Sequence, residues 1–222
     1  MCREPIEFMH INGLKIALTS SVYVPSHDTA ILINIVHDVL SKHKKLFQSI
    51  LVEIGSGTGY VALTIFSKFK HSLYMILIDI SPCATLCTWI NLKRYFVDCC
   101  ADVVQCDSAS CLRSAISRFI SFNPPYIPEE DIRDLSDLAV CGGPDGIEVW
   151  RLFYADAVRI CKRPCYILFV LSSLQNLEIV FKTVLNTCSS LDVYDCYYFF
   201  FESICGAVVR CEDNAKGSCS RD

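Results

Sequence analysis

Ile50-Leu51-Val52-Glu53-Ile54-Gly55-Ser56-Gly57-Thr58-Gly59 is the stretch on which the reading of the fold turns. An apolar run of strand length, interrupted only by Glu53, ends in a glycine cluster. A near-continuous apolar run of this size fits a strand buried on both faces, as in a parallel sheet. Val61, Ala62, Ile65 and Phe66 follow at helical spacing, so the glycines stand at a strand-to-helix turn. The alternation repeats outward. Leu73 to Ile78 reads as a second buried strand, ending at Asp79. Ser81-Pro82 then opens a helix, with Ser as cap and Pro in the first turn, where its missing N–H costs nothing. Asp102 to Gln105 and Phe119 to Phe122 are further strands, followed by a helix over Ile147 to Arg159. Pro164 to Leu171 is a fifth strand and Leu174 to Leu185 a helix. Upstream, Ile31, Leu32, Ile35, Val36, Val39 and Leu40 mark a helix capped near Asp28 or Thr29. Val193 to Phe201 and Ile204 to Arg210 predict a hairpin turning near Ser203. The pattern is α/β: a mostly parallel seven-stranded sheet, helices on both faces, and a C-terminal antiparallel hairpin.

The 222 residues suit one domain over 1–211, with an N-terminal extension over 1–21 and a polar, flexible tail over 212–222. Apolar residues at 52% against 20% charged exclude a disordered chain. A net charge of -4 and a pI near 5.7 argue against broad binding to nucleic acid or to anionic membranes. Mean hydropathy is +0.37, yet no run approaches the ~18 apolar residues of a membrane span. The N-terminus MCREPIEFMH has no apolar core of signal-peptide type, so a cytoplasmic location is expected, with a nuclear pool allowed. The apolar excess then marks a partner interface. The 15 cysteines, an odd number without an export signal, are expected as free thiols. No C-x-x-C and no suitably spaced His pair is present, so no metal site is expected.

In an open parallel sheet, ligands bind beyond the carboxyl ends of the strands, at the switch point of strand order. After the first strand comes Gly55-Ser56-Gly57-Thr58-Gly59, with Glu53 two residues ahead. Tyr60 breaks the dinucleotide fingerprint G-x-G-x-x-G. An acidic residue before a G-x-G-x-G loop suits the cationic end of an amino acid; the plain alternative is a glycine-rich turn. Asp79, 24 positions beyond Gly55, with Ile80 beside it, is placed to accept ribose hydroxyls, or to cap a helix. Asp107-Ser108 after the third strand is placed for an adenine amino group, or again for a cap. Together the strand ends fit adenosine joined to an amino acid, which describes S-adenosylmethionine.

Asn123-Pro124-Pro125-Tyr126, after the fourth strand, is the most specific signal in the chain. Two prolines fix the backbone, so the Pro124 carbonyl is held in place. That carbonyl and the Asn123 side chain are two acceptors able to grip a planar NH2 group. Such acceptors localise the nitrogen lone pair and favour the positive charge of a methyl-transfer transition state. Tyr126 covers the face of the group.

With these residues the sequence resembles the Rossmann-like class I S-adenosylmethionine-dependent amino-methyltransferases, and most closely the HemK-like protein-glutamine methyltransferases. The resemblance covers about residues 22–210. Val22-Tyr23-Val24-Pro25-Ser26-His27-Asp28-Thr29 is similar to the family's V-Y-x-P-x-x-D-T stretch, which implies cofactor contacts by Tyr23, Pro25, Asp28 and Thr29. His27 stands where the branch commonly has Glu. Gly142-Gly143-Pro144-Asp145-Gly146, with Glu148 following, resembles the family's G-G-x-x-G segment. The short N-terminal extension resembles the eukaryotic–archaeal branch. That branch methylates N5 of the glutamine in the Gly-Gly-Gln loop of the translation release factor. The resemblance implies a heterodimer with a small zinc-binding activator covering the third-strand edge, and a release-factor substrate that can carry its GTPase partner. It also implies catalysis by Asn123, Pro124, Pro125 and Tyr126. The cofactor would lie against Glu53, Gly55, Gly57, Gly59, Asp79, Ile80, Asp107, Ser108 and Asn123. Nucleic-acid adenine N6 and a protein lysine amine are alternative acceptors for the same turn, and an inactive scaffold is the alternative of another class. Ile127 to Val140, with Glu129, Glu130, Asp131 and Asp134, is long for a connection and offers an acidic substrate loop or a solvated surface.

Overall fold

β3 (Ile50–Ile54) sits in the middle of a seven-stranded sheet with β4 (Tyr74–Asp79) on one side and β6 (Ser117–Phe122) on the other. A computed structural model describes residues 2–43, 49–69, 73–129 and 139–213. The sheet order is β5-β4-β3-β6-β7-β9-β8, where β5 is Ala101–Gln105, β7 Cys161–Ser172, β8 Ser190–Tyr198 and β9 Ser203–Cys211. The ladders from β5 through β7 are parallel. β9 runs antiparallel to both β7 and β8. The strand order reverses between β3 and β6, so the glycine loop and the Asn-Pro-Pro-Tyr turn leave the sheet on either side of that switch point.

Period-two alternation builds a core on each face. Tyr166, Leu168 and Val170 of β7 join the core under α1 (His27–Lys42) and α2 (Tyr60–Phe69). Cys165, Ile167, Phe169 and Leu171 join the opposite core under α4 (Glu148–Ile160) and α5 (Leu177–Thr187). There Trp150 stacks on Tyr154 at 4.9 Å and both meet Phe169, so α4 is fixed by fully buried rings. α3 (Pro82–Arg94) packs on β2, β4 and β5. The Ser81 hydroxyl accepts from Cys83 and Ala84 N–H, the expected N-cap.

Four expectations change. The extension over 1–21 contains a hairpin, β1 (Glu7–Ile11) and β2 (Leu14–Leu18), outside the main sheet. Asn12 and Gly13 both have positive φ (46° and 81°) at its turn, and the Asn-Gly pair was its sequence signal. α1 begins two or three residues earlier than the cap expected at Asp28 or Thr29. Ser26 is the N-cap, and its N–H donates to Thr29 Oγ1 at 3.2 Å. The C-terminal hairpin turns over Phe199–Glu202, so Ser203 opens β9 instead of forming the turn. Finally, the free-thiol expectation is overturned for eight cysteines. Disulfides join Cys2–Cys83, Cys161–Cys165, Cys188–Cys211 and Cys196–Cys205. Three of the four join residues that tertiary structure brings together, such as Cys188 after α5 with Cys211 of β9, and Cys196 of β8 with Cys205 of β9; Cys161–Cys165 alone links close neighbours in sequence. The sulfurs of Cys161, Cys165 and Cys211 lie within 4.8 Å of one another, but as disulfide sulfurs they lack the thiolate charge a metal requires. The expected tail beyond Asp213 and most of the acidic segment, 130–138, lie outside the described residues. Among the described residues no helix is long and apolar enough to cross a membrane.

Candidate active site

A cavity of about 660 Å³ opens at the carboxyl ends of β3, β4, β5 and β6. That size suits a small organic molecule. Tyr23, Pro25, Asp28, Thr29, Glu53, Gly55, Gly57, Asp79, Ile80, Asp107, Ser108 and Asn123 to Tyr126 all line it. Five segments separated in the chain thus converge on one space.

The glycine loop is tied to the neighbouring strand. Gly55 and Ser56 N–H donate to the Ile78 carbonyl, and Gly57 N–H donates to Asp79 Oδ2 at 2.9 Å. Asp79 Oδ1 accepts from Ser81 N–H at 2.9 Å, so this carboxylate organises the loop as well as facing the cavity. Gly59 departs from the expectation. It does not line the cavity; a Cβ there would lie 2.9 Å from Thr88 Cγ2 of α3. With φ at +72°, Gly59 is a packing glycine that lets the start of α2 approach α3.

Three buried polar atoms on the cavity wall have no hydrogen-bond partner among the described residues: Glu53 Oε2, Ser108 Oγ and Asn123 Oδ1. Leaving such groups unpaired is costly, which points to a ligand that supplies partners. Burial, with Asp79 nearby, pushes the Glu53 pKa up to about 8. Burial also raises that of Asp79, against the N–H groups of Gly57 and Ser81 that hold it down. Two desolvated carboxyls facing one cavity call for a cation and for hydroxyl donors. Ser108 adopts a left-handed backbone (φ 50°) beside the exposed Asp107, offering polar groups at the other end of the cavity. The set fits S-adenosylmethionine: Glu53 would face its ammonium, Asp79 its ribose and Asp107-Ser108 its base.

The Asn-Pro-Pro-Tyr turn is braced from behind. Asn123 Nδ2 donates to Asp28 Oδ2 at 2.8 Å, and Tyr23 OH donates to the same oxygen at 2.8 Å. Thr29 N–H holds Asp28 Oδ1 at 2.6 Å. Asp28 is 2% exposed. With its NH2 committed to a carboxylate, the Asn123 amide keeps its unpartnered oxygen as a fixed acceptor. The expected cofactor contact of Asp28 thus gains a second role, orienting Asn123. Burial and the Asp28 charge push the Tyr23 and Tyr126 phenols well above their ordinary pKa, so both stay neutral.

Some positioning residues carried no strong sequence signal. Val149, Leu152 and Phe153 of α4 form an apolar wall of the cavity. Asp156 Oδ2 accepts from Ala109 N–H, while Arg159 donates to the carbonyls of Ala109 and Leu112 at 2.6 Å each. This i, i+3 pair clamps the loop that carries Asp107-Ser108; its spacing in a helix was the available clue. Gly146 packs so closely that a Cβ would lie 2.5 Å from the Tyr126 carbonyl oxygen. Gly142 N–H donates to the Ile127 carbonyl at 2.8 Å. The Gly142–Gly146 turn is therefore a backbone brace for the Asn-Pro-Pro-Tyr turn.

No family model matches the chain. The curated relatives include a release factor glutamine methyltransferase of Clostridium acetobutylicum, 29% identical over 72% of this chain and 57% of that protein. A second, from Moorella thermoacetica, is 27% identical over 70% of this chain and 55% of its own length. The chain is a relative of the protein-glutamine methyltransferases. It spans little more than half the length of these two relatives. A candidate protein N5-glutamine methyltransferase of Methanocaldococcus jannaschii is nearer in size, 28% identical over 75% of this chain and 80% of that one. Among solved structures, Mtq2 in the E. cuniculi Mtq2–Trm112 complex superposes with a TM-score of 0.60 at 18% identity, covering 86% of this chain and 99% of that one. The human METTL16 catalytic domain superposes with a TM-score of 0.68 at 12% identity, covering 91% and 76%. These likenesses establish the class I methyltransferase fold for this relative of the glutamine methyltransferases.

Proposed function

We propose that the chain is an S-adenosylmethionine-dependent methyltransferase that modifies the side-chain amide nitrogen of a glutamine, N5, in the Gly-Gly-Gln loop of a translation release factor. The observation that carries the reading is the buried, unpartnered Asn123 Oδ1, on an amide whose Nδ2 is held by Asp28, in the wall of a cavity suited to the cofactor. Bound S-adenosylmethionine supplies an electrophilic methyl group. The protein residues present the nucleophile. Asn123 Oδ1 and the Pro124 carbonyl accept from the two amide hydrogens, and Tyr126 covers the amide plane. These acceptors draw the lone pair onto nitrogen, and their negative ends, with Asp28 behind them, stabilise the positive charge that develops there. No general base is required, because the methylated amide nitrogen is strongly acidic and releases its proton to water. Positioning and preorganised electrostatics are what the site contributes.

The names of the sequence relatives support the acceptor. Mtq2–Trm112 is a complex that methylates the termination factor eRF1. By analogy we assign this chain a small partner at the free edge of β5, near the exposed Trp89 and Phe96. That partner would be zinc-binding, the substrate would be presented alone or with its GTPase, and the reaction would occur in the cytoplasm.

Mass spectrometry of the release factor after incubation with labelled cofactor tests the reading. One methyl group should appear on the loop glutamine. Asn123→Ala should lower the rate at least a hundredfold with cofactor affinity nearly intact. Methylation of adenine or lysine in place of glutamine would refute the acceptor; near wild-type transfer by the variant would refute the role of Asn123.

A further inference from the structure

The β8–β9 turn is built from residues that the fold does not need there. Phe199 N–H donates to the Glu202 carbonyl at 2.7 Å, closing a four-residue turn with Phe200 and Phe201 at its two central positions. Those positions ordinarily take Gly, Pro, Asn, Asp or Ser. Phe200 is 92% exposed, Phe201 86% and the preceding Tyr198 81%. The two Phe rings touch each other, edge to face at 4.6 Å. Three large rings held in water contribute little to stability, and a departure from local preference of this kind marks a functional position.

The base of the turn is fixed and its place is informative. Glu202 Oε1 accepts from Ser172 Oγ at 2.7 Å, and Ser173 and Ser203 exchange two hydrogen bonds of 2.9 Å. Ile204 lies opposite Ser172, at the carboxyl end of β7, so the turn projects from the same edge of the sheet as the cavity. His27 bridges the two: its ring meets Tyr197 at 5.7 Å and Phe199 at 5.6 Å, and the next residue is Asp28 of the Asn123 brace. The aromatic tip is thus continuous with the rim of the site. Asp195 and Glu202 flank the tip, and residues 193–203 carry no Lys or Arg.

We propose that Tyr198 to Phe201 form a docking platform for a basic polypeptide segment of the acceptor protein, a segment outside the loop whose side chain enters the cavity. The proposal rests on the reading that the acceptor is a protein glutamine. Charge complementarity selects this occupant. The carboxylates attract lysine and arginine, and exposed aromatic faces bind the same cations. A phosphate backbone or an anionic lipid surface would be repelled.

The test is the double variant Phe200→Ser/Phe201→Ser, which installs turn-compatible residues. It should fold with an unchanged or higher melting temperature. The KM for the intact release factor should rise at least tenfold. The kcat, the cofactor affinity and the KM for a short peptide containing Gly-Gly-Gln should stay within twofold. An unchanged KM for the intact factor, with glutamine transfer by the wild-type chain, overturns the platform alone. Failure of the wild-type chain to methylate any glutamine removes the acceptor reading and this proposal with it. Loss, in the variant, of wild-type binding to phosphatidylserine vesicles or to single-stranded RNA would reassign the tip to a lipid or nucleic-acid partner and likewise overturn it.

Discussion

Glu53 is a carboxyl group in the interior of a parallel sheet, and its protonation ties stability to ligand binding. In the unfolded chain it titrates at its ordinary value of 4.5, but in the fold it is pushed up to about 8 by burial and by Asp79. Between those values the folded state holds a proton that the unfolded state has released. Stability contributed by this group is therefore present at low pH and declines as pH rises from about 4.5 to 8, by an amount on the order of a few kcal/mol. The melting temperature of the ligand-free protein should fall across that window, and Glu53→Gln should flatten the slope. A cationic ligand prefers the ionised carboxylate. The stabilisation conferred by S-adenosylmethionine should accordingly be larger near pH 8 than near pH 6 in the wild-type chain, and the variant should bind it at least tenfold more weakly. Scanning calorimetry over pH, with and without cofactor, checks both. A variant with wild-type affinity would detach Glu53 from the ammonium.

At the scale of elements, the Asn-Pro-Pro-Tyr turn is held in place by the Gly142–Gly146 turn pressed against its backbone. Gln175 Nε2 donates to the Gly146 carbonyl at 2.9 Å, linking that brace to the end of β7. Gly146 has φ at +66° and stands where a Cβ would meet the Tyr126 carbonyl at 2.5 Å. Gly146→Ala should therefore displace Tyr126 without dissolving the sheet: kcat falls at least tenfold, while cofactor affinity, set at β3 and β4, is retained. Stopped-time methylation assays beside calorimetric cofactor titration separate the two, and wild-type turnover would show that the brace is dispensable. This contact was not readable in the chain, whereas the turn it braces was. Asn123 to Tyr126 announce themselves because proline restricts the backbone locally and Asn has few reasons to precede two prolines. The strands were legible for a similar reason: burial on both faces writes an apolar run such as Ile50 to Ile54 directly into sequence. The packing duty of Gly59, the role of Asp28 as an anchor for Asn123, and the disulfides depend on residues brought together by register and helix docking, which local pattern does not encode. The N-terminal hairpin differs again, since Asn12-Gly13 is a local turn signal that needs no tertiary contact to be read.

At the scale of the whole molecule, the sheet has an edge strand at each end. On one side β8, the first arm of the C-terminal hairpin, pairs with β9. On the other, β5 pairs only with β4 among the described residues. The Cys106 N–H donates to β4, and the Cys100 carbonyl accepts from it. Main-chain groups alternate sides along a strand, so the N–H of Val103 points away from β4 toward the free edge. An edge with exposed Trp89 and Phe96 beside it is a liability for an isolated chain and a template for an added strand. Expressed alone, the chain should aggregate, and co-expression with the partner should keep it dispersed. Val103→Pro removes the outward N–H and leaves the β4 ladder intact. The variant should still bind S-adenosylmethionine within about twofold of wild type but fail to elute as a heterodimer on size exclusion. If the proline variant retains the partner, the contact lies elsewhere on the surface and the β5 edge is only solvent-facing.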